Sequence, residues 1–257
     1  MTARYKIGVT EAGDAGLDLS WEEKLDTVDG AILITKRVTN DFISAVLRHK
    51  DKIIVHATCT GYGSTIIEPN VPEYLTQINA AAVLVKNGFP AERVVIRVDP
   101  IIPTEKGWST AAHVMRMASF FGFSRYRISV IDMYPHVRKR FAAAGLPDPY
   151  KGKFQPPDEM MDGIHKLVHD VASFYIIDHG SIDGLRIETC AEPRLRDDGI
   201  IRCGCVSGYD LKLLGLDAGD VDQNGYQRKN CMCYSGKVEL LNNKRQCRHG
   251  CLYCYWK

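Results

Sequence analysis

The chain has 257 residues, 45% of them hydrophobic and 25% charged, and a formal net charge of +2. That balance fits one large globular domain or two small ones, and it excludes a strongly basic nucleic-acid coat. The core is large enough to need no disulfide staple.

Short apolar, β-branched runs alternate with segments of helical period. Strands are expected at 5–9, 31–35, 52–58, 93–98, 126–131, 185–189 and 237–241. Helices are expected at 40–49 behind an Asn cap, at 72–88 and 110–122 ending on Gly88 and Gly122, and at 157–175. The alternation predicts an α/β fold with a parallel sheet. Near-continuous apolar strands fit a full or partial barrel, with a doubly wound sheet as the alternative. We read one domain over 1–257, with a Gly-, Asp- and Cys-rich insertion at 190–236. No run of roughly 18 apolar residues occurs, so no membrane-spanning helix is expected. The first residues lack the layout of a signal peptide, so the expected location is cytoplasmic, with no membrane partner.

Nine cysteines in a cytoplasmic chain point to metal or redox work rather than disulfides. All but Cys59 fall between Cys190 and Cys254, and Cys59 reads as a buried core thiol. Cys247, Cys251 and Cys254 have the spacing C-x3-C-x2-C. Three thiolates do not close a tetrahedral zinc site. They can hold three corners of a [4Fe–4S] cube and leave the fourth iron for a chelating molecule. The alternative is a zinc knuckle completed by His249 or another cysteine. Such a knuckle would belong to a zinc-binding nucleic-acid-interaction module without catalysis. A second group comprises Cys190 and two C-x-C pairs, Cys203/Cys205 and Cys231/Cys233. Four of these five can hold a second iron–sulfur cluster or a zinc ion.

Polar residues gather at strand ends, where a barrel carries its chemistry. They are Lys36; Thr58, Thr60 and Gly61; Arg97 and Asp99; Asp132 and Tyr134; and Glu188 and Glu192. Gly61 would let backbone approach a ligand. Internal salt bridges, such as Arg97 with Glu188, are the structural alternative. The basic stretch HVRKRF (136–141) reads as a solvated helical face or a seat for an anionic substrate.

C-x3-C-x2-C with Tyr253 before the third cysteine resembles the signature of the radical S-adenosyl-L-methionine (radical SAM) superfamily, and is similar to the motif of spore photoproduct lyase. The stretches TGYGSTIIEPNVP (60–72), RVDPII (97–102), DMY (132–134), TCAE (189–192), QRKNCMC (227–233) and CRHGCLYCY (247–255) resemble a bacterial and phage family. That family carries the cysteine cluster at its C-terminal end. The resemblance implies a TIM-like barrel, circularly permuted so that 237–241 is its first strand. It implies a [4Fe–4S] cluster on Cys247, Cys251 and Cys254, and reductive cleavage of SAM to a hydrogen-abstracting 5′-deoxyadenosyl radical. It implies an electron donor such as flavodoxin or ferredoxin, and a modified DNA base or nucleotide as a substrate class. Candidate SAM contacts are then Thr58, Thr60, Gly61, Arg97, Asp99, Asp132 and Tyr253. In the second metal group Cys190, Cys203, Cys231 and Cys233 match the family positions, and Cys205 is the extra thiol.

Overall fold

The computed structural model describes residues 4–190, 192–195, 199–217 and 231–256. Residues 218–230 of the expected insertion, including the start of QRKNCMC, and Ala191 of TCAE lie outside the described residues.

Eight strands form: β1 Ile7–Val9, β2 Gly30–Thr35, β3 Ile53–Thr58, β4 Val94–Ile101, β5 Arg125–Val130, β6 Arg186–Thr189, β7 Ile200–Arg202 and β8 Lys237–Glu239. They make one sheet in the order β7-β6-β5-β4-β3-β2-β1-β8. Every neighbouring pair is parallel. The fold is therefore α/β with an eight-stranded parallel sheet. β8 lies beside β1, with Ile7 opposite Lys237 and Val9 opposite Glu239. Among the described residues β7 and β8 are the two edges.

The helices are α1 Asn40–Arg48, α2 Tyr74–Lys86, α3 Glu105–Phe120, α4 Pro135–Ala143, α5 Asp158–His179 and α6 Gly208–Leu213. Several differ from the sequence reading. Thr39, not Asn40, caps α1 by accepting from the Phe42 N–H. Thr104 caps α3 and starts it before the expected position 110. HVRKRF lies in α4, which Pro135 opens at a position where no N–H is needed. β7 and α6 form inside the stretch expected to be irregular. Ser207 and Asp210 close a capping box that starts α6.

Successive strand residues point to opposite faces. On one face Leu33, Val55, Ile96 and Ile128 join residues of α1, α2, α3 and α5 in a single core. Cys59 is 2% exposed within that core, as expected. On the other face Ile7, Val9, Ile32, Ile54 and Val95 pack against Val206, Leu211 and Tyr234. The long crossover helices thus cover one side, while α6 and its flanks fill the other.

Further along that second face lies a buried ionic layer. Arg125 donates to Glu188 at 3.1 Å and to Asp210 at 2.5 Å, and Arg127 donates to Glu188 at 2.6 Å. Arg186 also bonds Glu188. The expected bridge from Arg97 to Glu188 is therefore not the one formed, because Glu188 is taken by three other arginines. His56 is fully buried nearby, and burial with the fields of Arg127, Arg97 and Arg125 holds its pKa well down, so it is neutral. Among the described residues no helix is long and apolar enough to cross a membrane.

Candidate metal centre

A cavity of about 520 Å³ opens at the C-terminal ends of the strands. Its size suits a small-molecule site. Cys247, Cys251 and Cys254 line it, and so do Cys190, Cys205, Cys231 and Cys233. The two cysteine groups that sequence spacing separated therefore face one space. None of the nine cysteines is in a disulfide.

The loop carrying Cys247, Cys251 and Cys254 is held by residues far away in sequence. His249 Nε2 lies 2.7 Å from Asp14 Oδ2, and both side chains are buried. Asp14 also accepts from Thr35 Oγ1 at 2.6 Å and from the backbone N–H groups of Gly16 and Lys36 at 3.0 and 2.8 Å. Burial alone would raise the Asp14 pKa, but the hydrogen bonds from His249, Thr35 and Lys36 overcome it and lower it. His249 is thus bound to a carboxylate through Nε2. Ligating histidines commonly make such a contact through the other nitrogen, and His249 lines the cavity, so it stays the alternative fourth ligand.

TGYGSTIIEPNVP wraps the other side of this loop. Asn70 donates to the Arg248 carbonyl at 2.8 Å, and the Leu252 N–H donates to Ile67 O at 2.9 Å. Glu68 is 1% exposed. It accepts from Lys36 Nζ at 2.7 Å, from Thr60 Oγ1 at 2.6 Å, and from the Tyr253 hydroxyl. Lys36 also reaches the Tyr253 oxygen at 2.6 Å. Burial pushes the Tyr253 pKa well up, and Glu68 adds to it, so the phenol stays protonated. Burial likewise raises Cys251 to about 11, so thiol protons would leave on metal binding.

Of the candidate contacts, Thr58, Arg97, Asp99, Asp132 and Tyr253 line the cavity. Arg97 pairs with Asp99, which Ser129 also bonds. A register shift between Val98 and Ile101 re-aims this strand end. Thr60 and Gly61 are not among the lining residues. Thr60 serves Glu68, and Gly61 has a packing role: its φ is 84°, and an added Cβ would lie 2.3 Å from Thr110 Cγ2.

Glu11 and Glu239 also line the cavity, and sequence reasoning did not single them out. Glu11 pairs with Lys237 at 2.6 Å. Burial raises both carboxyls to about 7. A strand-end position next to β1 and β8 was their only sequence signal. Asp14 had no signal beyond being an acidic residue in a loop, and Glu68 none beyond its place in TGYGSTIIEPNVP.

In the second group the structure departs from the resemblance. The ligand atoms of Cys190, Cys205 and Cys233 all lie within 4.8 Å of one another. Cys205, expected to be the extra thiol, is the member present. Cys203 sits instead in the field of Arg127, Glu188 and Asp210, with its thiol raised to about 12 by burial. Cys231 lines the cavity and its sulfur accepts the Cys233 N–H at 3.4 Å.

Asp14→Ala should destabilise the fold by about 1–3 kcal/mol, because several buried donors lose their acceptor. It should also speed maleimide labelling of Cys251, which is 7% exposed. Urea denaturation and the labelling rate are the readouts, and an unchanged rate would detach Asp14 from the loop.

Fold and site together define an α/β protein whose parallel sheet ends on a cavity with a three-cysteine group able to hold a metal or cluster. A family model described as Domain of unknown function (DUF1848) matches residues 19–256. The chain belongs to that family. No curated protein matches the chain.

Proposed function

We propose that this protein is a radical SAM enzyme, with a [4Fe–4S] cluster on Cys247, Cys251 and Cys254 and SAM in the adjoining cavity. The observation that carries the reading is that this loop presents three thiols to a cavity of about 520 Å³, large enough for a small molecule beside them. Among the described residues these three do not meet the 4.8 Å mutual spacing that Cys190, Cys205 and Cys233 meet. That favours a cube, which gives each thiolate its own iron, over a zinc knuckle. A cluster with SAM bound supplies one-electron reductive cleavage of the sulfonium C–S bond, and so a hydrogen-abstracting 5′-deoxyadenosyl radical.

The residues of this chain position and shield. Asp14 and the loop around Glu68 hold the cysteine loop. Arg97 offers a guanidinium to a carboxylate, and Asp99 and Asp132 offer acceptors to hydroxyls. Tyr134, Tyr255 and Trp256 also line the cavity, with Tyr134 and Tyr255 centroids 6.3 Å apart. Such aromatic faces suit a planar substrate like a nucleobase.

The sheet supports a barrel-type reading. From β1 to β7 the strands follow chain order, only β8 steps back beyond β1, and the crossover helices α1, α2, α3 and α5 share one core. A doubly wound sheet reverses its order and carries helices on both faces. With β8 leading into β1 in space, the chain order is that of a barrel cut and rejoined, so that the cysteine loop follows the first strand.

The test is anaerobic purification and reduction in the presence of SAM. Brown protein that releases 5′-deoxyadenosine, with release abolished by Cys251→Ala, supports the reading. Colourless protein with bound zinc and no cleavage would instead identify a zinc-dependent nucleic-acid-interaction module.

A further inference from the structure

The geometry points to a single four-coordinate ion of the zinc class on Cys190, Cys205 and Cys233, with its fourth ligand position facing the cavity. This ion would bridge the two edges of the sheet.

The spacing comes first. Cys190 Sγ and Cys205 Sγ are 3.7 Å apart, and the third sulfur lies within 4.8 Å of both. Zn–S bonds of ~2.3 Å at a tetrahedral angle place sulfurs about 3.8 Å apart. A four-iron cube spreads its thiolates over separate irons and holds them wider.

The surrounding backbone is arranged for thiolates. The Cys205 N–H donates to Cys233 Sγ at 3.1 Å. Such bonds steady a metal-bound sulfur. They require the two C-x-C segments to lie almost in contact, and Gly204 permits it. An added Cβ there would stand 2.4 Å from both Cys233 Cα and Met232 O. Three thiolates on a dication leave one net negative charge. Lys237, whose side chain is 2% exposed, and Arg127, which donates to Cys205 O at 3.1 Å, sit beside it.

The location gives the ion a task. Cys190 follows β6, Cys205 follows β7, and Cys233 precedes β8. β7 and β8 are the edges of the sheet, and no ladder joins them among the described residues. Unpaired edges are a liability that closed barrels avoid. An ion held by these three thiolates would join the edges where hydrogen bonds do not. All three cysteines line the cavity, so the fourth ligand would come from that side.

The inference is independent of the radical SAM reading, because its test removes the first cluster. The full chain with Cys247, Cys251 and Cys254 all replaced by serine is purified anaerobically. One zinc per chain and no acid-labile sulfide are expected. Cobalt(II) exchanged into it should give the visible bands of a tetrahedral thiolate site, saturating at one equivalent. On this background Cys205→Ser should lose the bands, while Cys203→Ser and Cys231→Ser should keep them. Addition of 2-mercaptoethanol should shift them by occupying the fourth position. Chelation should lower the thermal midpoint.

Iron with sulfide, or no bound metal, would overturn the proposal. So would loss of the bands with Cys203→Ser but not Cys205→Ser. Loss with Cys231→Ser would overturn the exchangeable fourth position, since Cys231 would then be the fourth ligand. If Cys205→Ser fails to fold, the cobalt stoichiometry and spectrum of the parent variant still decide between one ion and a cluster.

Discussion

Glu188→Ala is expected to cost about 3–5 kcal/mol, the usual penalty for leaving buried charges without their partner. Total stabilities of about 5–15 kcal/mol make that enough to leave a large fraction unfolded. Glu188 is fully buried and bonds Arg125, Arg127 and Arg186, so its loss strands three guanidinium groups. Asp210, 2.5 Å from Arg125, can compensate only one of them well. Urea denaturation measures the effect, and a loss below about 1 kcal/mol would show that the layer re-pairs without Glu188.

The same residue gives a pH dependence. Burial would raise its carboxyl, but Arg127 and Arg125 hold it at about 2 against an ordinary 4.5. A carboxyl lowered in the folded state binds fewer protons there than in the unfolded chain. Its contribution is therefore complete above pH 4.5 and is lost as pH falls toward 2. Acid unfolding in that window is expected, and in Glu188→Gln this part of the slope should be absent.

Glu68→Ala is expected to have a comparable cost, again about 3–5 kcal/mol, with a local signature. It leaves Lys36 and Thr60 without their shared acceptor and frees the Tyr253 hydroxyl. Because Tyr253 lies between Cys251 and Cys254, the loop should loosen before the sheet does. Maleimide labelling of Cys251 should accelerate at least tenfold under native conditions, which corresponds to about 1.4 kcal/mol of local opening. If labelling tracks global unfolding alone, Glu68 is a core ion and not a support for the cysteine loop. Iron retained per chain after anaerobic purification should fall in parallel under the radical SAM proposal.

These two carboxylates differ in how legible they were. Glu188 lay at a recognised strand end, so its burial was readable, but its partners were not. The chain offered Arg97, and the sheet delivered Arg125 and Arg127 from the neighbouring strand in register. Glu68 sat in a quoted stretch without a role. Its role depends on a contact spanning 185 residues, to Tyr253.

The sequence by itself determined the strands from their apolar runs, with β7 missed because three residues carry no period. It determined the C-x3-C-x2-C loop, since close thiols on one short loop must stay close however the chain folds. The pairing of β8 with β1 was already implied by the resemblance to a permuted barrel. Tertiary structure alone decided that Asp14 and Glu68 hold the cysteine loop, and that both cysteine groups share one cavity. It also decided that Cys205, and not Cys203, meets Cys190 and Cys233. Cys203 and Cys205 stand two residues apart just after β7, so which sulfur reaches Cys190 and Cys233 depends on how the chain turns there, and the close approach of Gly204 to Cys233 and Met232 sets that turn.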